Sequence, residues 1–262
     1  MFLCSKAVEV RRESVMSKLK RGLHHPLLIG FVMMIVIWYV LYLVIATRTI
    51  PSPLETFDYF FRHLHPLVIH MGASLLRVVV AVVLALLIGL PVGIAIGRNK
   101  RLDQLLSPLL YIIYPIPKVA FLPVFMLLFG LGNVSKVMLM LFIIVFQLML
   151  SVRDGVKDIP PHYFTVMQSF SAKQHHHYRY VVLPAILPRV FSSLRISIGI
   201  SLATLFFAEN YATTYGVGYF ILSAWMKMNY VEMFSGIMAL SLLGSAFFGF
   251  IDVLEKKLTP WL

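Results

Sequence analysis

Residues 74–97 read SLLRVVVAVVLALLIGLPVGIAIG, with Arg77 as their only charged member. The hydrocarbon core of a bilayer is crossed by about 20 apolar residues in a helix, so this stretch is long enough to span it. Ala81, Ala85, Gly89, Gly93 and Gly97 recur at every fourth position and fall on one helix face. Small residues let two backbones approach closely, which matters where lipid gives helices no hydrophobic drive to associate. The stretch predicts a membrane helix with a tight packing seam, and with it an all-α integral membrane protein.

The remainder of the chain fits that class. Of 262 residues, 60% are hydrophobic and 13% charged, against about half and about a quarter in a soluble domain. Further spans are expected near 27–46, 107–129, 134–151, 185–208 and 233–254, giving about six in all. Ser241, Ser245 and Gly249 repeat the small-residue stripe in the last of them. The chain divides into a basic tail (1–26), a first transmembrane helix (27–46) and a core domain (66–262) carrying a long loop at 152–184. The apolar run that starts near Pro26 is long enough to span, which distinguishes it from a cleaved signal segment.

The formal charge of +12 has a topological reading. Lys6, Arg11, Arg12, Lys18, Lys20 and Arg21 precede the first span; Arg98, Lys100 and Arg101 follow the second; Arg153, Lys157, Lys173 and Arg179 follow the fourth; Lys256 and Lys257 close the chain. These segments alternate as one side of a membrane should, and the opposite connections carry only Arg48, Arg62 and Lys227, with Lys136 at a span edge. The excess of Lys and Arg marks the cytoplasmic side, so both termini and loop 152–184 are expected there. Such a scatter of charge argues against a nucleic-acid partner. The single cysteine, Cys4, excludes a disulfide framework and a Cys-based metal site.

Polar residues inside spans require a reason, since a charge at mid-bilayer costs about 2.5–3.5 kcal/mol on insertion scales. Lys118 follows Pro115-Ile116-Pro117, and two prolines so close predict a broken third span. Broken helices at that depth are kept where they line a cavity or are buried in protein. Pro115, Pro117 and Lys118 are therefore candidate pathway residues, with a snorkelling lysine as the plainer alternative. Ser193, Ser197, Ser201 and Thr204 form a polar stripe on the fifth span, which Arg195 enters from the cytoplasmic end. They too are candidate lining. Arg77, Lys118 and Arg195 together favour an anionic solute. Glu209, at the outer end of the same span, is a further pathway candidate; as one acid at a margin it is too little for a proton- or sodium-coupled carrier. His175-His176-His177 lack the spacing and completing ligands of a metal site, and neither a metalloprotease motif nor an ATP-binding glycine loop is present.

The loop reads RDGVKDIPPHYFTVMQSFSAKQHHHYRYVVLPAILP from Arg153 onward. Asp158 and Pro160-Pro161 signal a helix start. A short amphipathic helix over about 161–170 should expose Tyr163, Phe164 and Phe170. A second short helix should run to Leu183-Pro184. Exposed aromatics on a helical turn suit a partner's groove; an interfacial helix on lipid headgroups is the alternative.

In these residues the chain resembles the permease subunits of type I ABC importers, in the branch for nitrate, sulfonates and taurine. That family's cytoplasmic loop reads E-A-A-x-x-x-G, then about nine residues, then an apolar run ending in L-P. With Leu183-Pro184 on the final pair, Thr165-Val166-Met167 occupy the Glu-Ala-Ala positions and Ser171 the glycine. The resemblance also covers 70–77 (HMGASLLR), 89–93 (GLPVG), 114–132 (YPIPKVAFLPVFMLLFGLG), Leu194-Arg195, and Ala208-Glu209 through Gly216-Val217-Gly218-Tyr219. It implies the type I ABC importer transmembrane fold in a bacterial or archaeal inner membrane. It implies two ATPase subunits that bind ATP and Mg and dock on Pro161, Tyr163, Phe164, Thr165, Met167, Phe170, Ser171, Ala172, Leu183 and Pro184. It also implies a second permease copy forming a homodimer, and a periplasmic or lipid-anchored binding protein that delivers substrate. Closure of the ATPases would pull the loops and turn the cavity outward, past an outer gate at Tyr215, Gly216, Gly218 and Tyr219 whose glycines give flexible backbone. No catalytic residue and no cofactor is expected in the chain itself. The rival readings are an ion-coupled carrier or channel, and an intramembrane enzyme.

Overall fold

The computed structural model describes residues 26–261; the tail call on residues 1–25, Cys4 included, lies outside them. The described residues form helices α1 (Pro26–Ile45), α2 (Pro53–Arg62), α3 (Leu64–Arg98), α4 (Lys100–Ile113), α5 (Leu122–Phe129), α6 (Asn133–Lys157), α7 (Pro161–Ser169), α8 (Gln174–Glu209), α9 (Val217–Met226) and α10 (Tyr230–Leu258). By length and composition α3, α6, α8 and α10 can each cross a membrane. α4 and the segment Lys118–Phe129 form a fifth span when taken together, bent by 88° at the proline pair. α1, 20 residues long, overlaps the first expected span, but its stretch Ile29–Ile45 falls among the shorter apolar helices, so among the described residues four to five spans stand where about six were expected.

The core lies where α3, α6, α8 and α10 meet, around Val78, Ala85, Ile144, Leu148, Val152, Ile186, Ile198 and Leu243. The stripe on α3 is its tightest seam. A Cβ added at Gly93 would lie 2.8 Å from Val152 Cβ, and one at Gly97 2.7 Å from Val156 Cβ and 2.9 Å from the Arg153 carbonyl oxygen. The backbones of α3 and α6 touch there, with no room for a side chain. Much of the remaining apolar surface, including Leu76, Leu87 and Phe250, faces outward, as lipid-facing positions do.

The stripe on α10 behaves otherwise. Ser241, Ser245 and Gly249 are exposed, and a Cβ at Gly249 would meet nothing within 4 Å. Gly236, Ala239, Leu243, Gly244 and Phe247 are the buried face of α10, with a Cβ at Gly236 falling 2.7 Å from Ile221 Cγ1. The i, i+3, i+4 seam that packs is offset by about 100° per residue from the serine stripe. Two short helices, α2 and α9, were not expected as separate elements. α2 starts at Pro53, with Ser52 Oγ accepting from the Glu55 amide at 3.1 Å.

Candidate functional site

At the end of the bundle remote from the 158–177 loop, three residues one helical turn apart on α3, His70, Ser74 and Arg77, face the last residue of α8. That residue, Glu209, holds the expected position at the outer end of its span and is fully buried there, because the chain folds back over it through residues 210–218. Its carboxylate is ion-paired with the Arg77 guanidinium, accepts from Ser74 Oγ at 2.7 Å and from the Gly218 amide at 2.8 Å. Arg77 also donates through Nη2 to the Tyr215 carbonyl at 2.7 Å and through Nε to Asn133 Oδ1 at 2.9 Å. Ser74 Oγ accepts from the Val217 amide at 2.9 Å, and His70 Nδ1 accepts from the Gly216 amide at 3.1 Å. Charge-assisted bonds of this kind satisfy a buried ion on every side.

The two glycines have a use other than flexibility. Gly216 holds φ +149°, and a Cβ there would overlap the Glu209 carboxylate. At Gly218 a Cβ would sit 2.6 Å from the Phe206 carbonyl oxygen. Both glycines permit close approach in a segment that is tied down. Tyr215 remains exposed, while Tyr219 is half-buried, with its ring 6.0 Å from that of His70. The tie joins residues more than 130 positions apart; His70 and Ser74 lie in the 70–77 stretch that carries the resemblance, while Asn133 has no local pattern that singles it out.

Pro115 and Pro117 sit at the bend after α4, followed by a single 3-10 turn beginning at Lys118. Lys118 Nζ donates to the Tyr114 carbonyl at 2.9 Å, which fills an acceptor that the bend leaves open. Lys118 and Ser197 border one cavity of about 250 Å3, with Tyr114 and Gln147. Ser193, Ser197 and Ser201 are buried and their hydroxyls have no partner; Thr204 donates to the Ile200 carbonyl at 3.0 Å. The stripe therefore packs inside the chain, with Ser197 reaching a cavity. Arg195 lies on another face of α8, bound to Asp252 at 2.9 Å and to Glu255. Arg77, Lys118 and Arg195 are thus three separate sites.

At the opposite end of the bundle α7 stands out with Pro161, Tyr163, Thr165 and Phe170 exposed and Met167 half-buried. Phe170 is 80% exposed. Phe164, expected outside, is turned inward: the Arg98 guanidinium lies 5.1 Å from its ring centre and the His177 ring 6.1 Å away. Positions 163 and 164 lie about 100° apart around the helix, so Tyr163 can face outward while Phe164 turns toward Arg98. The helix expected to end at Leu183-Pro184 instead continues through them. A π-helical turn at Tyr178–Val182 relieves the ring of Pro184, and α8 runs unbroken to Glu209 with Leu183 and Pro184 half-buried. Beneath the loop, Arg153 is buried and bonds Ser107 Oγ, Tyr111 Oη and Asp154, a structural role hidden in what reads as a topological charge. The His175 and His176 rings lie 3.9 Å apart, tilted by 52°, and among the described residues no cluster of three His, Cys, Asp or Glu could hold a metal.

Between α7 and α8, Ser171 has φ +51° and Ala172, half-buried, donates its amide to the Met167 carbonyl at 3.1 Å. A left-handed conformation costs a residue with a Cβ about 1–2 kcal/mol, and this is the position where the importer motif carries glycine. Ser171→Gly is expected to leave stability unchanged or raise it by up to about 1 kcal/mol, while Ser171→Val lowers it by about 1–2 kcal/mol. Thermal unfolding in detergent checks the order; equal melting for the two variants would refute the assignment.

Residues 85–260 match the family described as Binding-protein-dependent transport system inner membrane component. The taurine transport system permease protein TauC of Escherichia coli (strain K12) is 30% identical over 192 residues, 73% of this chain and 70% of that protein. The bicarbonate transport system permease protein CmpB of Synechococcus elongatus is 28% identical over 249 residues, 90% of this chain and 86% of that one. Among solved structures, a chain of the MetNI methionine ABC transporter in an inward-facing conformation superposes with a TM-score of 0.63 at 18% identity, covering 75% of this chain and 97% of that one. The likeness to MetNI establishes a shared fold.

Proposed function

The chain belongs to the binding-protein-dependent transport system inner membrane components, the permeases of ABC importers, and from that premise we propose that two copies of it form the pathway for a small anionic solute. The relatives' named solutes, taurine with its sulfonate group and bicarbonate, support a solute that carries an oxyanion group. Two separate ATPase subunits, binding ATP and Mg, dock on α7 and its turn from the cytoplasm, where both termini also lie. A periplasmic or lipid-anchored binding protein presents the solute at the Arg77–Glu209 end, and the segment Tyr215–Tyr219 gates entry there. The membrane is the inner membrane of a bacterial or archaeal cell. The chain carries no catalysis of its own.

The observation that carries this reading is α7 itself. Tyr163, Val166 and Phe170 offer exposed apolar surface on a helix that is anchored through Phe164 and Arg98, which is a knob suited to a groove. An ion-coupled carrier is less well supported, because Glu209 is already held by Arg77, Ser74 and Gly218. Phe170→Glu combined with Ala172→Glu is expected to cut co-purification of the ATPase subunit at least about tenfold, since two charges enter an apolar contact. Undiminished co-purification would overturn the docking surface.

A further inference from the structure

Beside the Arg77–Glu209 pair lies a cavity of about 510 Å3, bordered by α3, by the start of α6 and by residues 212–215. Two cations line it, and both are buried: Arg77 is 5% and Lys136 1% exposed. Lys136 Nζ donates to the carbonyls of Leu131 at 3.1 Å and Gly132 at 3.2 Å, which leaves one of its three protons unassigned. Glu209 balances one of the two charges; among the described residues no acid pairs with the other. α6 begins at Asn133 without a side-chain cap, so its first-turn amides are open beside Lys136. Ile69, Ala73 and Val80 supply the apolar wall.

A buried ammonium whose charge is unmatched is expensive to keep, and here its residue lines a space large enough for a small ion. We propose that this cavity, which Lys136 lines, is a binding site for a small oxyanion, of sulfonate, carbonate or phosphate type, with Lys136 as its charge partner and Arg77 and Asn133 at its rim. The same chemistry is offered by a free solute and by a lipid phosphate headgroup. The inference rests on the transport reading only in giving a solute anion a place near the proposed entrance; binding itself is independent of the ATPase.

The test uses the full chain in detergent free of phospholipid, titrated calorimetrically with methanesulfonate and with bicarbonate, chloride being the control that lacks oxyanion geometry. Parallel samples in anionic-lipid nanodiscs are extracted and examined by native mass spectrometry for retained phosphatidylglycerol. Saturable oxyanion binding that falls at least about tenfold in Lys136→Met and in Ala73→Phe, the second filling the cavity with both cations intact, supports a solute site; one charge-assisted bond is worth that much. Lys136→Arg should restore it. Lipid retention that depends on Lys136 in the same way, without oxyanion binding, supports the site with a headgroup as its occupant. Equal affinity in wild type and both variants, or neither binding nor retention in wild type, overturns it. Thermal unfolding shows that each variant is folded, and ATPase co-purification of the same variants separates failure of this site from failure of the docking reading.

Discussion

Arg77→Met is expected to lower stability by about 3–5 kcal/mol, because it strands the Glu209 carboxylate in a buried site. Ser74 and the Gly218 amide would still bond that carboxylate, but no cation would face it at contact distance, and the ties to Tyr215 and Asn133 would go as well. The double variant Arg77→Met with Glu209→Gln removes the stranded charge and should recover part of the loss, leaving it less destabilised than Arg77→Met alone. Chemical unfolding in mixed micelles measures both. A loss below about 1 kcal/mol in the single variant, or simple additivity in the double, would show that the pair is not coupled as the geometry requires.

The second large effect is expected at the seam of α3 and α6. Gly93→Leu together with Gly97→Leu puts two side chains where Val152, Val156 and the carbonyl oxygens of Met149 and Arg153 already stand within about 3 Å of an added Cβ. Overpacking costs about 1–3 kcal/mol per site, and backbone neighbours cannot swing aside as a side chain can, so about 4–6 kcal/mol is expected from a total of about 5–15. Such protein should be recovered poorly and melt early. Gly249→Leu is the matched control, since open space surrounds it, and it should melt as wild type does. Indistinguishable melting of the seam double and wild type would mean that the helices are not in contact there.

Much of the architecture was legible because membrane spans are written locally. A run such as 74–97 needs only length and apolarity to be recognised, and Pro115-Ile116-Pro117 marks the bend of the third span through covalent geometry alone. The α3 stripe was legible for the same reason, yet of an equal stripe on α10 Ser241 and Ser245 only border a cavity shared with α1 and Gly249 meets nothing among the described residues, since spacing defines a face without saying what that face meets. The candidate site was harder. Glu209 reads as marginal until residues 210–218 fold over it, and Ser74, His70 and Asn133 become site residues only through partners far away in the chain. Phe164 and Tyr163 have similar composition and opposite fates, fixed by which side of a short helix finds Arg98.

The continuity of α8 has a mechanical consequence. Gln174, just past the Ser171 turn, and Glu209, beneath Gly216 and Gly218, are the two ends of one 36-residue rod, roughly 50 Å long at 1.5 Å per residue. A displacement at residues 174–177 is expected to reach Glu209 through this one element, less whatever the π turn and the bonds lost at Pro184 and Pro188 absorb. The π turn at Tyr178–Val182 lies at the loop end, the place along this helix where a change of angle is most readily taken up.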